Sequence, residues 1–476
     1  MAFIFHRKVI VTLKSFGRHA IVVGAGIAGL VAAKALSSHF AAVIVLERDA
    51  LPSGPIARPG TPQARQIHVL LRGGLDALIE FFPKIEAELE SVGAVRVRVG
   101  SQSLLETPGF DPFPRRDLGF DYLCMTRPLL EFVTRGLVEQ QDNVALKSCC
   151  RVTEFLESAD PAAVWGVRYE DASGQSKELP SDLVVDASSR GALTLALLDK
   201  FDLPRPQETE IGIDLRYATG TFEIPPTAPR DWRAILHRPS AQSGHGGLLV
   251  PAEKNCWQVN LTGMHGEPMP ESVADFIAFA RTLRTQTIHD AIAHAAPVGP
   301  IYRFGFPCSI RRHFEALDRF PDRLLPLGDA ICRFNPAFGQ GMSVAAQEAG
   351  VLKRLIEARS LDADPLKELA QSFFAAIQEY LAVPWAVAES DFVYEKTRGH
   401  RPDDFCHRLG FSAALQRVAS EDAAVHQIMS EVTHLVKPSS ALRDPLIVGR
   451  VTTMIAASAL GHSDAYSRPI INSRPK

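Results

Sequence analysis

The hydrophobic pattern of the chain contains two units in which a short apolar run, a glycine-rich turn and a helical stretch follow one another. The first unit has apolar residues at Ala20–Val23, glycines directly after them, and helical composition from Leu30 to Leu36. The second has an apolar run at Leu324–Leu327 and a helical pattern from Ser343 to about residue 359. Because turn residues bound these apolar runs, each unit predicts a strand, a turn and a helix.

Between these units the chain alternates apolar and polar residues, and this period predicts strands of one sheet. Two helical stretches, at residues 272–283 and 286–295, come after the strands. The predicted strands are Glu210–Phe222, Trp232–Leu236, Gly247–Val250 and Trp257–Gly263.

From about residue 361 to residue 462 the apolar spacing is helical. The last helix contains Arg450 and is too short to cross a bilayer, so we expect it to pack on the protein rather than on a membrane surface. The predicted helices are Ala370–Leu381, Phe405–Ala419, Ala423–Val436 and Pro445–Leu460, separated by Pro384, Pro402, Pro438 and Pro445.

Composition and charge describe an ordinary globular protein. Hydrophobic residues make up 46% of the 476 positions, which excludes disorder as the dominant state. The 51 basic and 54 acidic residues give a net charge of −3, which argues against a partner such as nucleic acid. The longest uncharged apolar stretch, Ala20–Ala33, falls short of the roughly 20 residues that a transmembrane segment needs.

Cysteine and histidine usage argues against metal sites. The seven cysteines include no C-x-x-C pair, which indicates reduced thiols, a cytoplasmic protein and no structural zinc. His237 and His245 are isolated, and His289 and His294 are five residues apart, off one helical face, so no metal is expected. The first eighteen residues are basic, and they are either an N-terminal extension or a targeting peptide.

The first glycine turn, residues 24–29, has the sequence G-A-G-I-A-G and the roles of a dinucleotide-binding turn. Gly24 allows the tight turn, Gly26 lets a pyrophosphate approach the backbone, and Gly29 lets helix and strand pack closely. The helix start offers free N–H groups to the phosphates. Glu47 ends the next apolar run, where its carboxylate can accept hydrogen bonds from a ribose. This motif alone leaves NAD and FAD open.

The second unit delivers an acid and then a glycine loop. Gly328 and Asp329 follow the strand, and the sequence N-P-A-F-G-Q-G-M occupies residues 335–342. Asp329 can bond a polyol hydroxyl, while Gly339 and Gly341 let an aromatic ring system lie against the backbone. The helix that begins near Met342 favours negative charge at its start, such as that of a reduced flavin.

Together these motifs resemble the FAD-dependent aromatic hydroxylase superfamily, which shares the fold of para-hydroxybenzoate hydroxylase. G-D-A followed by N-P-x-x-G-Q-G-M is similar to its flavin-ribityl motif, about 300 residues after the first glycine turn. Asp182–Gly191 resembles the family's D-G motif, although Asp186 is followed here by alanine. Arg127 stands at the position of a FAD-contacting arginine, where a guanidinium can grip phosphate or ribose.

The resemblance implies an α/β fold: a discontinuous GxGxxG Rossmann-like FAD-binding domain, an inserted antiparallel β-sheet substrate domain and a helical C-terminal region. The first would take residues 1–95, 120–205 and 300–360, the second residues 96–119 and 206–299, and the third residues 361–476. The predicted cofactor-binding residues are Gly24, Gly26, Ile27, Ala28, Gly29, Glu47, Arg48, Arg65, Arg127, Val152, Asp186, Gly328, Asp329, Pro336, Gly339, Gly341 and Met342.

The resemblance also implies a single-component monooxygenase with non-covalent FAD. It would use NADPH or NADH and O2 to transfer one oxygen atom through a flavin hydroperoxide. Residues 58–63, 65–68, 126–131 and 311–315 resemble a bacterial branch that includes the olefin epoxidases of polyether biosynthesis. We therefore expect epoxidation or hydroxylation of a bulky apolar or aromatic natural product. Whether the protein is a monomer or a dimer stays open.

Several alternatives remain beside this interpretation. One is an isoprenoid saturase that reduces double bonds, and another is a non-catalytic flavin-binding protein. A flavin halogenase is disfavoured because the four tryptophans are too far apart for a W-x-W-x-I-P stretch. His68 is either structural or an acid–base group, and we name no catalytic base. The loop Leu51–Gln66, rich in proline and glycine, is either an irregular solvent loop or a segment over the flavin groove.

Overall fold

The computed structural model describes residues 16–158 and 162–460, without the side chains of residues 457–460. Most of the basic N-terminal segment considered above, with Arg7, Lys8 and Lys14, lies outside the described residues. The same holds for residues 461–476 of the C-terminal region.

Eighteen strands form four sheets in the described part of the chain. They are β1 (Gly17–Val23), β2 (Phe40–Leu46), β3 (Val69–Leu70), β4 (Val95–Arg98), β5 (Ser103–Glu106), β6 (Asp121–Cys124), β7 (Val144–Lys147), β8 (Arg151–Ser158), β9 (Ala163–Glu170), β10 (Ser176–Pro180), β11 (Leu183–Asp186), β12 (Glu208–Glu223), β13 (Ala234–His237), β14 (Gly246–Ala252), β15 (Cys256–Gly263), β16 (Tyr302–Arg312), β17 (Leu324–Pro326) and β18 (Cys332–Arg333).

Thirteen α-helices lie between and after these strands in the same part of the chain. They are α1 (Ile27–Ser37), α2 (Arg72–Phe81), α3 (Ile85–Ser91), α4 (Arg127–Glu139), α5 (Ala192–Lys200), α6 (Val273–Ala280), α7 (Thr287–Ile292), α8 (Gly341–Ala358), α9 (Leu369–Ala376), α10 (Gln378–Glu389), α11 (Phe405–Glu421), α12 (Ala423–Thr433) and α13 (Pro445–Leu460).

A five-stranded parallel sheet, in the order β17-β11-β1-β2-β7, forms the centre of the nucleotide-binding part. Its central strand β1 is apolar and buried on both faces from Ala20 to Val22, as expected where other elements cover both sides of a parallel sheet. Helices α1 and α8 pack together beside this sheet. The glycine turn after β1 permits the tight packing, because a Cβ on Gly29 would lie 1.9 Å from the Gly24 carbonyl oxygen.

A seven-stranded sheet, in the order β18-β16-β12-β15-β14-β13-β5, forms the second layer system. Its pairs are antiparallel except β13 with β5. Apolar side chains of one face, including Phe222 and Val259, pack against α6 and α7. Strand β16 belongs to this sheet, so a domain boundary at residue 300 separates β16 from the strand β12 to which it is hydrogen-bonded.

The C-terminal region is helical, with one correction. Pro384 does not end a helix but lies inside α10, which is separated from α9 by Ile377 alone. Helices α11, α12 and α13 share a small apolar cluster in which Ile447 and Val451 are buried, so the last helix packs on the protein as expected. No helix among the described residues has the length and apolarity to cross a membrane.

These layers confirm the fold class expected from the sequence: an α/β protein with a parallel Rossmann-like sheet, a largely antiparallel second sheet and C-terminal helices. The two glycine-rich units enter the same parallel sheet, through β1 and through β17. Since the carboxyl ends of parallel strands share one edge, the loops that follow these two strands are brought to the same edge of the sheet.

Candidate functional site

The starts of three helices meet at the carboxyl edge of the parallel sheet. A Cβ on Gly328 would lie 3.2 Å from the Cβ of Ala28, at the start of α1. A Cβ on Gly26 would lie 4.0 Å from Nη2 of Arg127, the first residue of α4. A Cβ on Gly341, the first residue of α8, would lie 3.8 Å from Oδ1 of Asp329. Segments far apart in sequence therefore converge at one place, which we call the groove.

The start of α1 has the properties of an anion-binding site. Its N-cap Gly26 is extended and provides no side-chain cap, so the first N–H groups of the helix, from Ile27 onward, point outward without a side-chain acceptor. Gly24 has a φ of +100°, and a Cβ there would lie 2.8 Å from the carbonyl oxygen of Ala187. The glycines therefore keep this turn compact and the approach to the helix start open.

Arg127 presents a buried positive charge beside this helix start. Its guanidinium is 9% exposed, and Nη1 lies 2.9 Å from Oε2 of Glu131 without the geometry of a hydrogen bond. Burial and the neighbouring Arg58 lower the pKa of Arg127 from its usual value, while Glu131 opposes the shift. A pyrophosphate at the start of α1 would give this guanidinium a second anionic partner beside Glu131.

Glu47 connects the end of β2 to the first glycine turn. Its Oε2 accepts the N–H of Ala25 at 2.8 Å, and its Oε1 accepts the N–H of Asp49 at 3.0 Å. Nη1 of Arg58 is 3.0 Å from the same Oε1. A carboxylate offers about four acceptor positions, so one is left for a ribose hydroxyl. The prediction that Glu47 lies at the end of a strand is confirmed, while its ion pair with Arg58 was not predicted.

Arg58 was noted in the sequence only as part of a loop and of a family resemblance, and its ion pairs at this site were not predicted. It lies in the proline- and glycine-rich loop and contacts three carboxylates, those of Glu47, Asp49 at 2.9 Å and Glu131 at 2.7 Å. Burial opposes its charge, but Glu131 and Glu47 outweigh burial and raise the pKa of Arg58. Through Arg58 the loop is fastened to the nucleotide-binding part, so it is not merely an irregular solvent loop.

The third signature lies beside the first and second motifs. Asp186 is fully buried, and its Oδ2 accepts the hydroxyl of Thr194 at 2.6 Å while its Oδ1 accepts the N–H of Ser188 at 3.1 Å. Both oxygens thus hold the turn after β11. Gly191, with a φ of +62°, brings the chain against Ala330 of the second motif.

Three other predicted positions have different surroundings. Arg48 is 63% exposed and only reaches Asp49 at 4.0 Å. Val152 is the second residue of β8, two residues after Cys150, whose N–H donates to the Glu47 carbonyl at 2.8 Å. Arg65 stacks on the ring of Tyr302 at 4.8 Å, which places it against the seven-stranded sheet. The structure therefore brings neither Arg48 nor Arg65 into the group around Arg127.

Two carboxyls with raised pKa values, those of Glu348 and Asp329, lie at the second motif. Glu348 of α8 is fully buried, and its Oε2 accepts the N–H of Gly328 at 2.7 Å. Burial raises the pKa of Glu348 to about 8, so this carboxyl is largely neutral at pH 7. Burial also raises the pKa of Asp329 to about 6, against the opposing effect of Arg333 and Arg127. Sequence reasoning did not single out Glu348.

The loop before α8 turns sharply and leaves space at its end. Gly339 has a φ of +67°, which favours glycine, and a Cβ on it would lie 3.7 Å from Val69. Gly341 is the first residue of α8 and has no positive φ. Pro336 is exposed at the start of the loop, and Met342 is half-buried in the first turn of α8.

His68 is held in a neutral state next to the groove. Its Nδ1 lies 2.9 Å from the Gln66 carbonyl oxygen, and burial together with Arg127 lowers the pKa of His68 to about 4. An Nδ1–H that donates to a carbonyl agrees with the structural interpretation of this histidine. Among the described residues no three histidines, cysteines or acids are grouped as they would be around a metal ion.

The groove fits a dinucleotide with a flavin. A buried arginine and a free helix start face the place of the pyrophosphate, an acid faces the place of a ribose, and space lies open before Gly341.

Comparisons with known proteins agree with this geometry. The Mycobacterium tuberculosis protein Rv3254 is 31% identical over 351 residues, which cover 72% of this chain and 73% of that protein. The structure is similar to p-nitrophenol 4-monooxygenase PnpA from Pseudomonas putida DLL-E4, with a TM-score of 0.60, 17% identity and coverage of 88% and 98%. It is also similar to the flavin-dependent brominase Bmp2, with a TM-score of 0.62, 14% identity and coverage of 87% and 94%.

At such identities the solved structures establish the shared fold alone, whereas the family assignment comes from the sequence. The model of the FAD binding domain family matches residues 18–364, which include all the glycine-rich segments described above. The chain therefore belongs to the FAD binding domain family.

Proposed function

We propose that the protein is a single-component FAD-dependent monooxygenase. In this proposal NADPH or NADH reduces the flavin, O2 is the second substrate, and one oxygen atom passes to a bulky apolar or aromatic small molecule by epoxidation or hydroxylation. The observation that carries the proposal is the single groove formed by the starts of α1, α4 and α8. A groove of this composition suits a pyrophosphate at one end and a flavin ring at the other.

The residues divide into three tasks. The α1 start and Arg127 bind the pyrophosphate, Glu47 binds the adenosine ribose, and Asp329 binds the ribityl chain. The glycines at 339 and 341 leave room for the ring. Asp186, Gly328 and Glu348 shape the turns around these groups. Pro336, Met342, Ala28 and Val152 complete the proposed set, while Arg48 and Arg65 have weaker support from their positions.

Bound FAD would supply the redox chemistry, and the protein would supply binding, orientation and exclusion of water. Phe306 and Phe334 are buried near the loop before α8, and Phe338 is half-buried within it. Apolar side chains at this place would keep the reacting groups dry, which would suppress loss of the reducing equivalents as hydrogen peroxide. With its pKa lowered to about 4, His68 is a poor proton acceptor near pH 7, which is in keeping with a reaction that needs no base, such as epoxidation.

Two features of the described residues favour this proposal over two rival classes of flavin enzyme. The first rival is an enzyme with a second dinucleotide domain for the nicotinamide coenzyme, such as a Baeyer–Villiger monooxygenase or a disulfide reductase. It is disfavoured because the described residues contain one dinucleotide-type turn, and we assign the loop at 339–341 to the flavin. Trp232 and Trp257 stack on each other at 5.9 Å in the apolar cluster of the seven-stranded sheet, so they are packing residues rather than the tryptophans of a halogenase. A saturase or a non-catalytic flavoprotein remains as the second candidate.

Oxygen uptake and isotope labelling test the proposal together. The FAD-loaded protein, with NADPH or NADH and extracts of the source organism, would be supplied with 18O2, and products would be analysed by mass spectrometry. We expect coenzyme oxidation coupled to the uptake of oxygen, and a product heavier by one labelled atom. Protein stripped of FAD is the control. Coenzyme oxidation that reduces a substrate without oxygen uptake would instead identify a saturase.

We propose a cytoplasmic location, in accord with the free cysteines of the described residues.

A further inference from the structure

Buried hydrogen bonds hold the loop at residues 335–340, which precedes α8. Asn335 is fully buried, and its Oδ1 accepts the N–H of Ala337 at 3.0 Å and the hydroxyl of Tyr217 at 3.3 Å. Its Nδ2 donates to Oδ2 of Asp391 at 2.8 Å. Because an N–H must meet an acceptor and a carboxylate must meet a donor, these partners fix which way the amide points.

Asp391 comes from the C-terminal region, just after α10. Its side chain is 3% exposed, and its backbone carbonyl accepts the hydroxyl of Thr397 at 2.7 Å and the N–H of Tyr394 at 3.2 Å. Within the described residues no cationic side chain forms an ion pair with Asp391. Burial raises the pKa of Asp391 to about 7, against the hydrogen bond from Asn335. A carboxyl buried at such a cost, without a cation, needs an explanation other than stability.

The network ends at the residues proposed to surround the flavin ring. Asn335 starts the turn that runs through Pro336 to Gly339 and delivers the chain to Gly341. If the amide of Asn335 rotated, the N–H of Ala337 would lose its acceptor and the turn would relax. Asp391 lies beyond residue 364, where the match to the family model stops. The contact therefore joins a segment outside the family match to the loop proposed to hold the ring.

From this geometry we propose that Asp391 is a positioning residue, which holds the flavin loop in its binding conformation through Asn335. The proposal rests on the proposed flavin site. It assigns to the C-terminal region a part in cofactor binding, in addition to its packing role. What Asp391 must supply is a hydrogen-bond acceptor at Oδ2, and a negative charge is not required.

Three variants of Asp391 distinguish loss of the hydrogen-bond acceptor from loss of negative charge and from unfolding. Asp391→Asn keeps an acceptor of the same shape, and we expect FAD affinity and the visible flavin spectrum of the wild type. Asp391→Ala removes the acceptor, and we expect a roughly 5- to 150-fold weaker Kd for FAD and shifted flavin absorption bands. Asp391→Leu fills the site with an apolar side chain and leaves Nδ2 of Asn335 without an acceptor, so we expect the same loss of FAD affinity as with alanine. Asp403→Asn, at an exposed aspartate nearby, is the control.

The experiment uses the full-length chain, titrated with FAD alone, with circular dichroism to confirm folding. A wild-type Kd and an unaltered spectrum in a folded Asp391→Leu or Asp391→Ala protein would overturn the proposal. So would an Asp391→Asn protein as impaired as the alanine variant, because charge and not the acceptor would then matter. If the wild type itself fails to bind FAD, the proposed function is wrong instead, and that outcome is distinct from both.

Discussion

Replacement of Gly341 by alanine should weaken FAD binding without lowering the stability of the apoprotein. In the structure the new Cβ would lie 3.8 Å from Oδ1 of Asp329, an ordinary van der Waals contact. Gly341 is also the first residue of α8 and has no left-handed φ. Alanine is preferred to glycine in helices by about 0.5–1 kcal/mol. The apoprotein should therefore be as stable as the wild type, or up to about 1 kcal/mol more stable.

Binding of FAD should respond in the opposite direction. A methyl group placed in the space of the flavin ring causes overpacking, which costs about 1–3 kcal/mol in a tightly packed site. This corresponds to a Kd that is roughly 5- to 150-fold weaker. The Kd would be measured by quenching of flavin fluorescence, and the stability of the apoprotein by urea denaturation, both on the same preparation.

Two neighbouring glycines serve as controls. In Gly350→Ala the Cβ would lie 3.3 Å from Nη1 of Arg354, the mobile end of a long side chain, so neither FAD affinity nor folding should suffer. In Gly339→Ala the φ of +67° would strain the backbone by about 1–2 kcal/mol, and stability should fall with or without FAD. A Gly341→Ala protein whose Kd for FAD stays within about twofold of the wild type would refute the placement of the ring.

Three further substitutions test the surrounding charges. Glu47→Ala should weaken FAD binding about 10- to 150-fold, with Glu47→Gln in between, and an unchanged titration would remove Glu47 from the ribose site. Arg58→Met should lower the free energy of unfolding by about 3–5 kcal/mol because three carboxylates lose their cation, whereas Arg48→Met, at an exposed position, should change it by less than about 0.5 kcal/mol in urea denaturation. The pKa of Glu348 is about 8 in the folded protein and 4.5 in its ordinary state, so between these values the folded protein holds a proton that the unfolded chain loses. The free energy of unfolding should therefore fall as pH rises from about 4.5 to about 8. Glu348→Gln removes this titration and should reduce the fall. Equal pH profiles of wild type and Glu348→Gln would contradict the neutral carboxyl.

The sequence predicts the local units of this site well, because their chemistry is local. A glycine turn between a strand and a helix can be recognised from neighbouring residues, and so can an acid at a strand end. Both glycine-rich units and Glu47 lie in the predicted elements. That the two units enter one parallel sheet follows from the family resemblance and not from either motif.

The interactions across the fold were not predictable, since a polar residue in a loop looks the same in sequence whether it is buried or exposed. Arg58 and Asp391 are two such residues, each buried by segments distant in sequence. Strand β16 was missed because Pro307 interrupts its pattern. In the structure Pro307 stands opposite the register shift between Gly212 and Leu215, where the ladder does not require its N–H. Pro384 lies inside α10, where its neighbours Leu381 and Trp385 are also buried.

The flavin content of the purified protein tests the central claim most directly. We predict a yellow protein that binds a single FAD per chain, after reconstitution if necessary, and releases the intact flavin on denaturation by acid or heat. Non-covalent release follows from a groove that offers helix N–H groups, Arg127 and acids to the dinucleotide. A folded protein that is colourless and takes up no FAD on titration would contradict the account.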